Sequence, residues 1–135
     1  MKVKKVYNEN KKIYIDYVIM IKIGIFYETY NNDALIINKL FKYKVKKIGD
    51  FDRVGFPINS YDKVIKKLNE CKINYVVIDG GTFSKKFLKN NYKKYLSNNY
   101  TGRIDDICDR LNNLIFTSNI DDILLKIESL LWLIS

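Results

Sequence analysis

The residues of this chain best suited to engage a ligand lie in one short stretch, Gly24-Ile25-Phe26-Tyr27-Glu28. It combines a glycine that lets another molecule approach the backbone with an aromatic ring and a carboxylate two positions apart. On an extended segment that spacing puts Phe26 and Glu28 on one face. Catalytic chemistry has less to work with. The chain has no histidine, the commonest general base and metal ligand, and Cys71 and Cys108 lack metal-ligand spacing. Asp50 with Asp52, or Asp105 and Asp106 with Asp109, are carboxylate groups of the kind magnesium takes, yet they read first as solvated turn and helix charges. Gly80-Gly81 follows an apolar run but is too short for a phosphate loop, and no G-x-x-x-x-G-K-[ST] pattern occurs. The expectation is a binding protein, not an enzyme, without cofactor or metal.

The elements around this stretch set where it points. Alternation along Val18–Ile25 gives Ile19, Ile21, Ile23 and Ile25 to a core face and Met20, Lys22, Gly24, Phe26 and Glu28 to the other. Phe26 is then expected at a rim or in a site. The competing reading packs Phe26 beneath the first helix and makes Glu28 a first-turn acid favoured by the helix dipole. From Tyr30 the period becomes helical, with Ala34, Ile37, Leu40 and Phe41 on one face and Asn31 or Asn32 as cap. Upstream, Val3–Tyr7 and Lys12–Val18 are rich in strand formers and flank a turn cluster, so a hairpin is expected.

Downstream, Tyr43–Ile48 reads as a short basic strand, Gly49-Asp50 as a turn and Phe51–Val54 as its return, with Gly55-Phe56-Pro57 breaking the pattern. A second helix, which Ser60 can cap, has Tyr61, Val64, Ile65 and Leu68 inward and Lys63, Lys66 and Lys67 outward. Ile73–Asp79 has the β-branched apolar run of an interior strand, stopped by Gly80-Gly81. Between Thr82 and Tyr100 a strand and then a loop is expected. Beyond Gly102 lie two amphipathic helices, one with Ile104, Ile107, Cys108, Leu111, Leu114 and Ile115 inward. The other uses Ile120, Ile123, Leu124, Ile127, Leu130, Leu131 and Ile134. The fold class is α/β, a mixed sheet flanked by helices, ending in a helical hairpin over 102–135 and forming a single domain over 1–135.

The 135 residues carry a formal net charge of +9, which favours a polyanionic partner, although such a bias also accompanies Lys- and Asn-rich composition alone. The sign is unevenly spread. Up to Tyr100 there are 21 Lys and Arg against 9 Asp and Glu, and beyond it 3 against 6. The basic surface thus belongs to the first part. No stretch approaches the roughly 20 apolar residues of a membrane span, and Met1–Tyr7 lacks the apolar core of a signal peptide. An intracellular, cytoplasmic protein without membrane contact is expected.

The segment Ile19–Ala34, I-M-I-K-I-G-I-F-Y-E-T-Y-N-N-D-A, resembles the start of the mismatch-recognition domain of the MutS DNA mismatch-repair family. Val54-Gly55-Phe56-Pro57 and the helix after it resemble that family's Gly-[IV]-Pro turn and following helix, and Tyr75–Asp79 resembles its next strand. The likeness is collinear over about 15–79. It implies a mixed α/β domain that meets duplex DNA from the minor groove, with Phe26 stacked on a mispaired base and Glu28 hydrogen-bonded to it. Gly24, Tyr27 and Lys22 flank that pair, and Lys44, Lys46, Lys47, Lys63, Lys66 and Lys67 are the candidates for phosphates. The chain departs from the family pattern where Ile25 replaces an Asp, Lys22 an Arg, and a β-like Lys-rich segment the N-terminal helix.

The resemblance implies clamp and ATPase domains for which 135 residues leave no room, so recognition without mismatch repair proper is expected. The partners expected are mismatched or bent double-stranded DNA, a second copy held through the C-terminal helices, and a repair protein, with nucleoid association when DNA-bound. The alternative is a protein-interaction module of the same fold that has lost DNA readout and modulates a full-length repair protein. A nuclease-like activity is a third reading by fold analogy alone.

Overall fold

Val18–Ile21 is buried from both sides, and the architecture follows from that. Ile19 and Ile21 belong to one apolar cluster, Val18 and Met20 to another, so this strand needs a covering layer on each face. The computed structural model describes residues 2–97 and 101–134, the side chains of 101–103 excepted. The chain divides into two compact units, Met1–Asn98 and Asn99–Ser135.

The first unit holds a six-stranded sheet made of β1 (Val18–Ile23), β2 (Phe26–Tyr30), β3 (Lys46–Ile48), β4 (Phe51–Pro57), β5 (Tyr75–Ile78) and β6 (Thr82–Lys85). Their spatial order is β3-β4-β2-β1-β5-β6. β1 runs parallel to β5, Val18 beside Tyr75 and Ile21 beside Ile78, and the other neighbours are antiparallel. The larger layer is formed by α2 (Asn31–Phe41), α3 (Tyr61–Cys71) and α4 (Tyr92–Leu96). Their Ala34, Ile36, Ile37, Val64, Leu68 and Tyr95 bury Val18, Met20, Val54, Phe56 and Val77. The opposite face is covered by α1 (Lys2–Ile13), whose Tyr7 packs with Ile19, Ile21, Tyr30 and Val76.

The mixed α/β architecture is the expected one, and several local expectations are corrected. The N-terminal segment is helix, not hairpin. Val3, Val6 and Tyr7 recur at three and four residues on one face, Tyr7 buried and the two valines half-buried against the sheet; packing there overrides the strand preference of valine and tyrosine. At the other break, Gly55-Phe56-Pro57 continues β4 to its end. Pro57 ends the strand beyond Phe51–Arg53, the part that β3 pairs, so one side of it is a local sheet edge where a missing amide donor is tolerated, and the turn follows at Ile58–Ser60.

Capping also differs from expectation. Neither α2 nor α3 has a side-chain hydrogen bond at its N-cap, occupied by Tyr30 and Ser60. Asn31 instead adopts a positive φ of 52°, a conformation asparagine tolerates better than most residues. Its Oδ1 accepts the Asp52 amide at 3.2 Å, tying the start of α2 to β4.

One buried carboxylate fastens these layers together. Asp33, 0% exposed, accepts hydrogen bonds from the Tyr7 hydroxyl at 2.9 Å, the Lys11 ammonium at 2.7 Å and the Ile19 amide at 3.1 Å. The Tyr92 hydroxyl donates to it as well. Elements α1, β1, α2 and α4 therefore meet at one side chain. Burial raises the Asp33 pKa, an effect the Lys11 charge and the donated hydrogen bonds oppose. The Tyr7 and Tyr92 hydroxyls are pushed far up, first by burial and then by the Asp33 charge.

Between Thr82 and Ser97 the expected strand is present as β6, but the expected loop is in part helix, because Tyr92, Tyr95 and Leu96 recur at helical spacing and form the short α4; the last residues of the expected stretch, 98–100, lie outside the described residues. The second unit holds α5 (Thr101–Asn113) and α6 (Ile120–Ile134), as the periodicity predicts. Their stripes are not inward, however. Leu111, Leu114, Ile120, Ile123 and Ile127 are half-buried, while Ile104, Ile107, Cys108, Ile115, Leu124, Leu130, Leu131 and Ile134 are exposed. A helical pair has too few neighbours to bury both stripes. Among the described residues no helix is long and apolar enough to cross a membrane.

Candidate nucleic-acid interface

The Gly24–Glu28 stretch is a β-hairpin and the start of a strand, not a corner leading directly into helix. Gly24, at φ +61°, and Ile25 form a two-residue loop, and Ile23 pairs with Phe26 across it. A glycine with positive φ at the first loop position suits a type II′ hairpin turn. This turn reverses the parity expected from straight alternation. Residues opposite one another in a sheet share a face, so Phe26 and Glu28 lie with their partners Ile23 and Ile21, on the isoleucine face. The expectation that Phe26 lies opposite the isoleucines is corrected, because Gly24 and Ile25 are turn residues and not strand positions. The ring is still accessible. Phe26 is 47% exposed and Ile25 at the tip 67%, beyond the part of the face that α1 covers.

The antiparallel register carries this face into β4, where Pro57 stands beside Phe26, Gly55 beside Glu28 and Arg53 beside Tyr30. Lys46 of β3 stands beside Arg53. Together Phe26, Glu28, Arg53 and Gly55, with Tyr43, Lys44 and Lys46, line an open groove of about 370 Å³. Its floor has one charged network. The Arg53 Nη1 donates to Glu28 Oε1 at 2.8 Å, and the Tyr30 hydroxyl donates to Oε2 at 3.0 Å. Burial, with the Glu28 hydrogen bond and charge, pushes the Tyr30 hydroxyl well above its ordinary pKa. Each Glu28 oxygen thus has an internal donor and, as a carboxylate oxygen, a further lone pair for another.

Four of the expected residues, Phe26, Glu28, Lys44 and Lys46, come together here, with Gly24 in the adjoining turn. The others do not join them. Tyr27 is 6% exposed and belongs to the core, its ring 4.9 Å from that of Tyr61 and 5.7 Å from that of Phe56. Lys22, beside Tyr27, faces the same way and lies 3.7 Å from Asp79. Lys47 alternates away from Lys46 and lies 4.0 Å from Asp52. Lys63, Lys66 and Lys67 line a separate groove with Leu40, Phe41 and Glu70, on the helical layer over the other face.

Sequence reasoning missed Arg53 and Tyr43. Arg53 was recoverable: once β4 runs through Pro57, counting back from the Gly55–Glu28 pair places Arg53 beside Tyr30 on the groove face. Tyr43 lies in the loop over 42–45, because the strand expected over Tyr43–Ile48 begins only at Lys46, and no strand period assigns it a face. Among the described residues no group of His, Cys, Asp and Glu is arranged to hold a metal ion.

Comparison with known proteins gives this groove a context. The sequence model of MutS domain I matches residues 2–101. A DNA mismatch repair protein MutS from Chlorobium chlorochromatii is 27% identical over 114 residues, covering 67% of this chain and 13% of that protein. A DNA mismatch repair protein MutS from Fervidobacterium nodosum is 33% identical over 64 residues, covering 47% of this chain and 8% of that protein. The chain thus spans only a small part of the length of these relatives. The match also begins within α1, so the N-terminal helix is retained and not replaced by a β-like segment. With the match extending over most of its length, the chain belongs to the MutS domain I family.

Proposed function

We propose that this chain is a non-enzymatic DNA-binding protein that probes mismatched or deformable duplexes by inserting Phe26, with Glu28 contacting the base. The observation that carries this reading is the placement of a half-exposed Phe26 and Glu28 together in an open groove with Arg53, Lys44 and Lys46 along it. Family membership supports the choice of DNA as the polyanion.

The chemistry follows from the groove. An apolar side chain pushed between base steps unstacks them and kinks the duplex. That deformation is cheapest where pairing is already defective or the step is flexible, so preference arises without reading a full sequence. Lys44 and Lys46 supply the sequence-independent attraction to phosphates. A carboxylate repels phosphates, so Glu28 contributes by accepting a hydrogen bond from a base edge. Fluorescence anisotropy titrations of matched, mismatched and bulged duplexes at fixed salt test the reading. Tighter binding of the mismatched and bulged duplexes is expected, with affinity falling steeply as salt rises and the salt slope reduced by about 0.9 for each phosphate-contacting lysine replaced by Gln. Equal affinity for all three duplexes overturns it.

A second copy held through the C-terminal helices is favoured by a different observation, the exposed apolar side chains Leu125, Leu130, Trp132, Leu133 and Ile134 of α6. A patch of this kind marks an association surface, and a helical pair below about 40 residues generally needs a partner to be stable. A second copy paired through these helices would give a small DNA-binding protein two points of attachment. Sedimentation equilibrium is expected to give a dimer that Leu130→Lys with Leu133→Lys dissociates. A monomer at tens of micromolar removes this role. Co-purification of a repair protein without nucleic acid would favour the module over DNA readout.

A further inference from the structure

We propose that Arg53 determines the specificity of the groove by acting as the internal counter-ion of Glu28, keeping the carboxylate neutralised until a base edge takes the guanidinium's place. This inference rests on the DNA-probing reading and extends it to a residue with a different role from Phe26 and Glu28.

Three observations carry it. The Arg53 Nη1 lies 2.8 Å from Glu28 Oε1, and the pair is partly buried, with 30% of the Arg53 and 15% of the Glu28 side chain exposed. Charge-assisted contacts in such surroundings are stronger than exposed ones. Both residues line the same groove as Phe26, so the pair stands where a duplex would lie. The geometry is set by the fold, since Arg53 pairs with Tyr30 and Glu28 with Gly55 in one antiparallel register. The Tyr30 hydroxyl holds the second carboxylate oxygen, so Glu28 keeps its position if Arg53 leaves.

The consequences have opposite signs for the two partners. With the pair intact, the groove floor carries no net charge from these residues. Removing only the guanidinium leaves an uncompensated carboxylate facing a polyanion. Removing only the carboxylate frees a guanidinium, whose planar fork suits phosphate. Discrimination arises because the minor groove of a matched duplex offers Glu28 only the guanine N2 amino group as a donor, while an opened base pair also presents its pairing-edge N–H groups to replace Arg53. The exchange then frees Arg53 for the backbone.

A double-mutant cycle tests this with matched and mismatched duplexes as probes. Arg53→Met is expected to weaken binding of the matched duplex about tenfold. Glu28→Gln is expected to strengthen it, steepen its salt slope by about 0.9 and remove most of the mismatch preference. The double variant is expected to return matched-duplex affinity and salt slope to those of the wild type, and Arg53→Lys to keep the salt slope while reducing discrimination. A purely structural role would weaken binding in both single variants, without restoration in the double, and that result overturns the inference. Circular dichroism melts of each variant separate misfolding from charge. If the wild-type chain binds no duplex, the DNA reading itself falls; if it binds and prefers mismatches but the signs are not opposite, only the role of Arg53 falls.

Discussion

Replacing Asp33 by alanine is expected to cost the first unit about 3–5 kcal/mol, enough to unfold a domain of ordinary marginal stability. The loss has several sources. The Tyr92 hydroxyl and the Ile19 amide lose the acceptor they donate to, at about 1–3 kcal/mol for each buried donor left unpaired; Lys11 loses its counter-charge, and the Tyr7 hydroxyl keeps only the Tyr30 carbonyl, 3.0 Å away. Asp33→Asn keeps the shape but presents an amide N–H₂ to converging donors, so a loss approaching that of alanine is expected. Urea denaturation followed by tyrosine fluorescence measures all of these. A change below about 1 kcal/mol for Asp33→Ala, the value of one ordinary hydrogen bond, would show that the network does not bind the layers together.

Lys11→Met adds a pH signature. Its ammonium is the cation that Asp33 contacts, at 2.7 Å, and burial already raises the carboxyl pKa from 3.8. Without Lys11 the pKa rises further. A carboxyl with a folded-state pKa above its unfolded value makes a contribution that is fully present below the unfolded pKa and lost as pH rises through the folded one. The destabilisation by Lys11→Met is therefore expected to be largest at neutral pH and to shrink on acidification, since a protonated Asp33 needs no counter-charge. Measuring the difference between wild type and variant at each pH cancels groups common to both, including the exposed Asp50, whose carboxyl is lowered by Lys4. A difference independent of pH would contradict this.

The second large effect falls on recognition and should leave stability almost untouched. Phe26→Ala is expected to remove the preference for mismatched over matched duplex while changing matched-duplex affinity little. An aromatic ring stacked on a base is worth about 1–3 kcal/mol, or roughly 5- to 150-fold in affinity, and that gain is realised only where a base step opens. Lysine contacts to phosphates do not depend on the ring. Because Phe26 is half-exposed, truncation creates no buried cavity, and the thermal midpoint should stay near that of the wild type. Competition binding with both duplexes in one titration resolves the ratio. A mismatch preference retained by Phe26→Ala would show that the ring is not the wedge.

Much of the fold was legible because its strongest signals are local. Ile73–Asp79 carries the β-branched run of a strand buried on both faces, and Tyr61–Leu68 the spacing of a helix with one apolar stripe. The N-terminal helix was hidden because Val3, Val6 and Tyr7 are strand formers by type, and only the sheet face beneath them decides the matter. For the candidate site, Phe26 and Glu28 were found by type and spacing, but the face they share was misassigned. A two-residue turn at Gly24-Ile25 belongs to neither strand, and parity counted through it comes out reversed. Arg53 was lost to the same kind of error, a strand ended too soon at Val54. Charge runs alone did not separate Lys44 and Lys46 from Lys47, Lys63, Lys66 and Lys67, because shared sign says nothing about shared face.

The helix α1 covers only part of its side of the sheet, so two kinds of selection act on one surface without conflict. Under α1, Ile19, Ile21 and Tyr30 are locked to the core, and changes there cost stability. Further along the same strands, Ile25 projects from the turn and is 67% exposed. A change of side chain at position 25 therefore costs little folding stability. The exposed tip can thus vary while the layers beneath it stay the same, and Ile25 marks a position outside both packed clusters.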